Sequence, residues 1–191
     1  MWEYFPTFME TIIQDQFFLN PMARYGVREL ARITKLDAKT VMKYLQNLVK
    51  DRIVIKRKEN GKYPYYEANR LSYIYRHEKS EVLVRKILAS GLIDFLEKEA
   101  SPKVIILFGS IRKGTYHRNS DVDLFVQTGY TTLNLQRFNA KIGHKVQLLF
   151  EKDLKNFNSG LLENIYNGLV LAGKIEVPIE AKGIRTVHPG K

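Results

Sequence analysis

The sequence predicts an α+β protein in two parts: helices that close on a β-hairpin, then a small mixed sheet flanked by helices. Three observations carry this expectation. Apolar residues at helical spacing around Leu30 and Leu45 run into two β-type stretches separated by Asn60-Gly61. Farther on, Val104-Ile105-Ile106-Leu107-Phe108 is an unbroken apolar run that stops at Gly109-Ser110, as a strand buried on both faces would. A second such run, Ser120 to Val126, carries two carboxylates, Asp121 and Asp123.

Taken in order, residues 7–18 place Phe8, Ile12, Ile13, Phe17 and Phe18 at helical spacing, and Asn20-Pro21 breaks the helix. Trp2 is expected to pack on it. Val27 to Thr34 reads as a short helix with Leu30, Ala31 and Ile33 on its apolar face. After a turn at Lys35-Leu36-Asp37, Asp37 is a natural N-cap for a helix from Ala38 to about Asp51. Val41, Leu45 and Leu48 form its inward stripe, which leaves Lys39, Thr40, Lys43 and Asn47 on other faces. Residues 53–58 and 62–67 then flank Asn60-Gly61, the turn chemistry of a tight hairpin.

With that layout on the page, residues 24–67 resemble the winged helix-turn-helix domains of many prokaryotic regulators. The resemblance implies double-stranded DNA as a partner. Lys39, Thr40, Lys43 and Asn47 would face the major groove, and basic wing residues, Lys62 among them, would meet phosphates. Winged helices also mediate protein contacts, and a lysine stripe is also what a solvated helix face looks like. Tyr63, Tyr65 and Tyr66 suit base stacking, a dimer contact or local edge-strand packing.

Residues 68–80 read as a connector, partly helical, and not as a Gly/Ser tether. From Glu81, Leu83, Ile87, Leu88, Leu92, Ile93, Phe95 and Leu96 suggest one or two helices packed on the sheet, with a break at Ser90-Gly91. After the two apolar runs come an expected helix over 131–141, a strand over 145–150, and one or two helices over 154–170 closed by Gly173. The expected division is 1–70 for the DNA-binding part, 71–80 for the connector, 81–175 for the sheet domain and 176–191 for a tail.

The chemistry concentrates between Val104 and Val126. Residues i and i+2 of a strand share a face, so Asp121 and Asp123 project together while Val122 and Leu124 enter the core. Paired carboxylates repel unless a cation lies between them, and Mg²⁺ suits hard oxygen ligands shared with substrate phosphates. Gly109 allows a phosphate close to the backbone, and a helix starting near Ile111 would offer free N–H groups beside the Ser110 hydroxyl. The spacing Gly109-Ser110, ten residues, Asp121-Val122-Asp123 resembles the polymerase-beta-type nucleotidyltransferases in their minimal prokaryotic form. Gly114 and Ser120 join that match, which spans about residues 81–173.

The resemblance implies that Mg²⁺ sits on Asp121 and Asp123, the catalytic carboxylates. It implies that Gly109, Ser110, Lys113 and Ser120 bind an NTP, with ATP the first choice, and that a nucleoside monophosphate passes to an acceptor. The family has a third carboxylate on a following strand. Here the expected place holds Gln147, which neither takes a proton nor neutralises a cation. Glu151 is about 13 Å farther along a strand, too far to replace it. Arg118 and His117 also lie between the two halves of the motif, where loop side chains are as readily solvated as engaged.

Composition bounds the rest. The 191 residues include no cysteine, which excludes a disulfide framework and thiolate metal sites. No stretch has the apolar length of a membrane span, and a cytoplasmic protein is expected. The net charge of +11 suits a polyanionic partner. Residues 1–80 carry 15 Lys and Arg against 9 Asp and Glu, and the remainder 16 against 11, so charge alone does not single out the first part. Two functions follow as expectations. One is Mg²⁺-dependent nucleotidyl transfer linked to DNA binding, with a protein hydroxyl, an RNA end or a small molecule as acceptor. The other is a DNA-binding or antitoxin-like regulator whose second domain only senses nucleotide. A homodimer is compatible with either.

Overall fold

The structure, a computed structural model, describes residues 8–175. Trp2 and the tail after residue 175 lie outside them.

The N-terminal part comprises α1 (Phe8–Leu19), β1 (Arg24–Tyr25), α2 (Val27–Thr34), α3 (Ala38–Lys50), β2 (Val54–Arg57) and β3 (Tyr65–Ala68). The strands pair antiparallel in the order β1-β3-β2. The cap expected at Asp37 is present: its carboxylate accepts from the Thr40 backbone N–H at 2.9 Å and from the Thr40 hydroxyl at 2.6 Å. Val41, Leu45 and Leu48 are buried and close a core with Ile13, Phe17, Leu30 and Tyr66. Each fully buried aliphatic side chain there contributes about 1.5–3 kcal/mol relative to exposure. Strand β1 has only two residues, too few to leave a periodic signal.

The stretch read as a partly helical connector is helical from Tyr73 and runs on unbroken into the second part. Helix α4 (Tyr73–Ala89) starts eight residues before Glu81, where Ser72 caps it through its hydroxyl. The reason lies in what its first turns bury. Tyr75 belongs to the N-terminal core, and its phenol donates to the Phe17 carbonyl at 2.9 Å. Leu83, Val84 and Ile87 of the same helix belong to the core of the second sheet. Helix α5 (Leu92–Ala100) follows the break expected at Ser90-Gly91.

The second sheet holds β4 (Val104–Phe108), β5 (Val122–Val126), β6 (Val146–Phe150) and β7 (Leu169–Gly173) in the order β6-β5-β4-β7. It is mixed: β4 runs antiparallel to β5 and β7, and β5 runs parallel to β6. The one-turn helix α6 (Gly109–Arg112) follows β4, α7 (Gln136–Ile142) precedes β6, and α8 (Ser159–Tyr166) lies between a 3₁₀ turn at Leu154–Asn156 and β7. The expected helix over 154–170 is therefore corrected at its end, where Leu169–Gly173 joins the sheet beside β4. Periodicity does not separate a short apolar run in a helix from one in a strand, and Asn167-Gly168 is the turn signal that marks the change. Helix α7 begins later than residue 131; Asn134 and Leu135 instead form its entry, with the Asn134 side-chain oxygen Oδ1 accepting from the Gln136 N–H at 3.0 Å.

Both faces of this sheet are covered. Ile105, Leu107, Val122 and Leu124 pack with residues of α4, α5 and α7, while Val104, Ile106 and Phe125 pack under Leu154 and Ile165. The second face is closed around Phe125, whose ring meets Phe157 edge-on at 5.6 Å. Asp121 and Asp123 continue that face toward the open end of β5.

Candidate active site

Pairing of β4 with β5 places Phe108 opposite Asp123, so the residue that follows β4 arrives beside a carboxylate. That residue is Gly109. Its φ is +74°, and a Cβ there would lie 2.3 Å from Asp123 Oδ2. Two independent demands, a left-handed backbone and an atom-free approach to Asp123, thus fall on one position. Ser110 comes next, half-buried in α6. The sequence places a helix start near Ile111. The structure has it at Gly109 and ends it within four residues, with Ile111 pinned in the core. The expected phosphate cradle is thus reduced to one turn and its flanking loop.

On β5, Val122 and Leu124 are fully buried, while Asp121 and Asp123 are half-buried on the other face. Burial pushes the Asp123 carboxyl above the usual carboxylate range, and the neighbouring Asp121 charge pushes it the same way. Gln147 stands opposite Asp123 in the parallel pairing with β6. Its amide Nε2 donates to Asp121 Oδ2 at 2.5 Å. The expected third position is thus spatially at the site, filled by a donor that holds Asp121 in place. Among the described residues no three His, Cys, Asp or Glu side chains come together. Two half-buried carboxylates on one face, one of them held above the usual carboxylate range by burial and by its neighbour, fit a divalent ion that takes its remaining ligands from water and phosphate oxygens. The absence of a Cβ at Gly109 leaves Asp123 Oδ2 open to such an ion.

Residues 90–175 match the family model described as Polymerase beta, Nucleotidyltransferase. This segment, just under half of the chain, is a nucleotidyltransferase-type domain. It contains every residue described so far at the site and begins at the end of α4, later than the resemblance from Glu81 suggests. No curated protein matches the chain.

The remaining expected nucleotide-binding residues of this domain have protein partners. Lys113 Nζ donates to Asn164 Oδ1 at 2.7 Å, tying the end of α6 to α8. The Ser120 hydroxyl accepts from the His117 N–H at 2.9 Å, and its carbonyl lies 2.7 Å from His144 Nδ1, which must donate to it. Ser120 therefore shapes the loop that delivers Asp121. Sequence reasoning missed how that loop is held. Gly114, at φ +66°, runs so close to α4 that a Cβ would lie 1.9 Å from the Arg76 carbonyl oxygen. Lys79 Nζ donates to the Tyr116 carbonyl, the Tyr116 phenol donates to the Lys79 carbonyl at 2.9 Å, and the ammonium lies 4.4 Å from the Tyr116 ring centroid. No short motif marks Lys79, because its partner is 37 positions away.

In the N-terminal part, Lys39 and Lys43 are exposed on α3, and Asn47 is half-buried. Thr40 spends its hydroxyl proton on Asp37. Lys62 lies 2.6 Å from Glu59, which raises its pKa through a hydrogen bond and the opposite charge. All four ion pairs found among the described residues are in this region: Arg24 with Glu59 and Glu67, Arg57 with Glu67, and Lys62 with Glu59. Of the hairpin's basic residues, Arg57 and Lys62 are therefore answered by acids, whereas Lys56 and Lys58, like Lys39 and Lys43 of α3, have no acidic partner among these pairs. No described helix is long and apolar enough to cross a membrane.

Proposed function

We propose that the chain moves a nucleoside monophosphate from an NTP, ATP first among them, onto an acceptor, at a site made by Gly109, Ser110, Asp121 and Asp123. The observation that carries this is the meeting of Gly109 and Asp123 across β4 and β5, which sets a glycine turn directly against a pair of carboxylates. Asp121 and Asp123 are the residues that would hold Mg²⁺. Bound there, Mg²⁺ would orient the phosphates and offset the charge that builds in an in-line displacement. Ser110 donates its hydroxyl to a phosphate oxygen, and the α6 turn adds backbone N–H groups. Gln147 fixes Asp121 by its hydrogen bond but takes no proton from the acceptor. Its effect falls on the rate of transfer, with nucleotide affinity left to the other residues.

That same amide favours one second reading: a regulator in which nucleotide is sensed and transfer is vestigial. In both, residues 24–67 are a winged helix-turn-helix that binds duplex DNA through Lys39, Lys43 and Asn47. The acceptor is a protein hydroxyl, an RNA end or a small molecule.

Incubation with α-labelled ATP and Mg²⁺ tests the first reading. Label should appear on an acceptor or on the chain itself, and should vanish in Asp121→Asn plus Asp123→Asn. Gln147→Asp should raise the yield tenfold or more. Mg²⁺-dependent ATP binding without transfer, in wild type and in Gln147→Asp alike, would decide for the sensor. Absence of Mg²⁺-dependent binding would overturn both.

A further inference from the structure

A basic cleft lies outside the carboxylate site, where the N-terminal part meets the loop that delivers Asp121. It has a volume of about 760 Å³, within the usual span of ligand pockets, and it sits between two cores, a common place for them. Three cationic side chains reach it from three elements: Arg70 before α4, Lys79 on α4, and Arg118 on the loop. His117 joins them, and no Asp or Glu is among the lining residues. Opposite is an apolar wall from the turn after α1, built from Leu19, Pro21, Met22 and Ala23. None of Gly109, Ser110, Asp121 or Asp123 takes part.

The charges here are not ion-paired, unlike Arg57 and Lys62 of the hairpin. No ion pair among the described residues includes Arg70, Lys79 or Arg118. Arg70 donates to the Met22 sulfur, a weak acceptor that a phosphate oxygen would displace. Lys79 is almost wholly buried with a carbonyl as its acceptor. Cations gathered in a walled cleft with no counter-charge raise the local concentration of anions, and two guanidinium forks match phosphate geometry. The apolar wall gives the uncharged part of such a ligand a surface to cover.

We infer that this cleft is a second binding site, for a phosphorylated ligand of nucleotide size, held through phosphate by Arg70 and Arg118 without a divalent cation. The inference stands apart from the proposed transfer reaction and needs no residue of that site. Its occupant would bridge Arg70 of the N-terminal part to Arg118 on the Asp121 loop.

Calorimetry with ADP in EDTA tests it on the full chain. Wild type should bind ADP, and Asp121→Asn plus Asp123→Asn should keep that affinity within twofold. Arg70→Ala plus Arg118→Ala should weaken it at least tenfold, and so should the single charge reversal Arg118→Glu, each with an unchanged circular dichroism spectrum. Inorganic pyrophosphate should bind at least fivefold more weakly than ADP. No binding in EDTA, or a smaller loss in the arginine variants, would overturn the site, and pyrophosphate binding as tight as ADP would overturn its nucleotide size. Mg²⁺-dependent ATP binding, measured in a separate titration, fails or survives independently.

Discussion

Replacing Lys79 by methionine removes a buried ammonium while keeping a straight apolar stem of similar length. Burial pulls this ammonium down to about 8 from its ordinary 10.5. Below pH 8 that difference sets about 3 kcal/mol against the charged form in the folded protein. The sign follows from proton counts. Between pH 8 and 10.5 the unfolded chain holds a proton at Lys79 that the folded chain has released, so the stability of wild type rises with pH there. Burial pushes the Tyr75 and Tyr116 phenols up, so stability that they supply is present below pH 10 and fades above it. The clean window is therefore pH 7 to 10. Urea unfolding of both proteins across it should show wild type gaining about 2.5 kcal/mol on Lys79→Met. The offset between them at pH 7 is less telling. Methionine relieves a buried charge but leaves the Tyr116 carbonyl without its donor, at about 1–3 kcal/mol. Parallel curves from pH 7 to 10 would refute the reasoning, since they would mean that the ammonium keeps its ordinary solvation.

Three further outcomes are expected. Gly109→Ala would drive a methyl group into Asp123 Oδ2, so Mg²⁺-dependent ATP binding should be lost in calorimetry while the chain still folds. Gly114→Ala should destabilise by about 1–3 kcal/mol from its left-handed backbone alone, and by more from the clash with the Arg76 carbonyl; thermal unfolding would show it. On duplex DNA, anisotropy across a salt series should find that Lys43→Ala weakens binding to all sequences and flattens the salt dependence, while Asn47→Ala loses preference between sequences by about 1–3 kcal/mol.

The elements that repeat a simple local pattern were legible in the sequence. Val41, Leu45 and Leu48 announce α3, Asp37 announces its cap, and the apolar runs announce β4 and β5 with the carboxylates on one face. Gln147 was also placeable, because a parallel strand after a helix returns it to the level of Asp123. What was hidden depends on distant partners. The first turns of α4 carry Tyr75 and Lys79, which look like connector residues until Phe17 and Tyr116 are beside them. Strand β7 was masked by an apolar run that serves helix or sheet equally, and only the open edge of β4 decides between them. The partners of Lys62 and Lys113 show the same limit: their charge is readable, but not whether Glu59 or Asn164 has already engaged it.

Helix α4 also sets a mechanical condition. Its 17 residues span about 25 Å, rooted in the N-terminal core at Tyr75 and in the second core at Leu83, Val84 and Ile87. A shared beam of this kind transmits torque, where a loose tether would let each part turn alone. Swivelling the N-terminal part would have to break the helix or pull Tyr75 from its place, and the Lys79–Tyr116 latch would go with it. A duplex seated on α3 would then hold the carboxylate pair at a fixed bearing from its axis. Any acceptor on that duplex, or on a protein bound next to it, would have to come to the site at one distance and one angle.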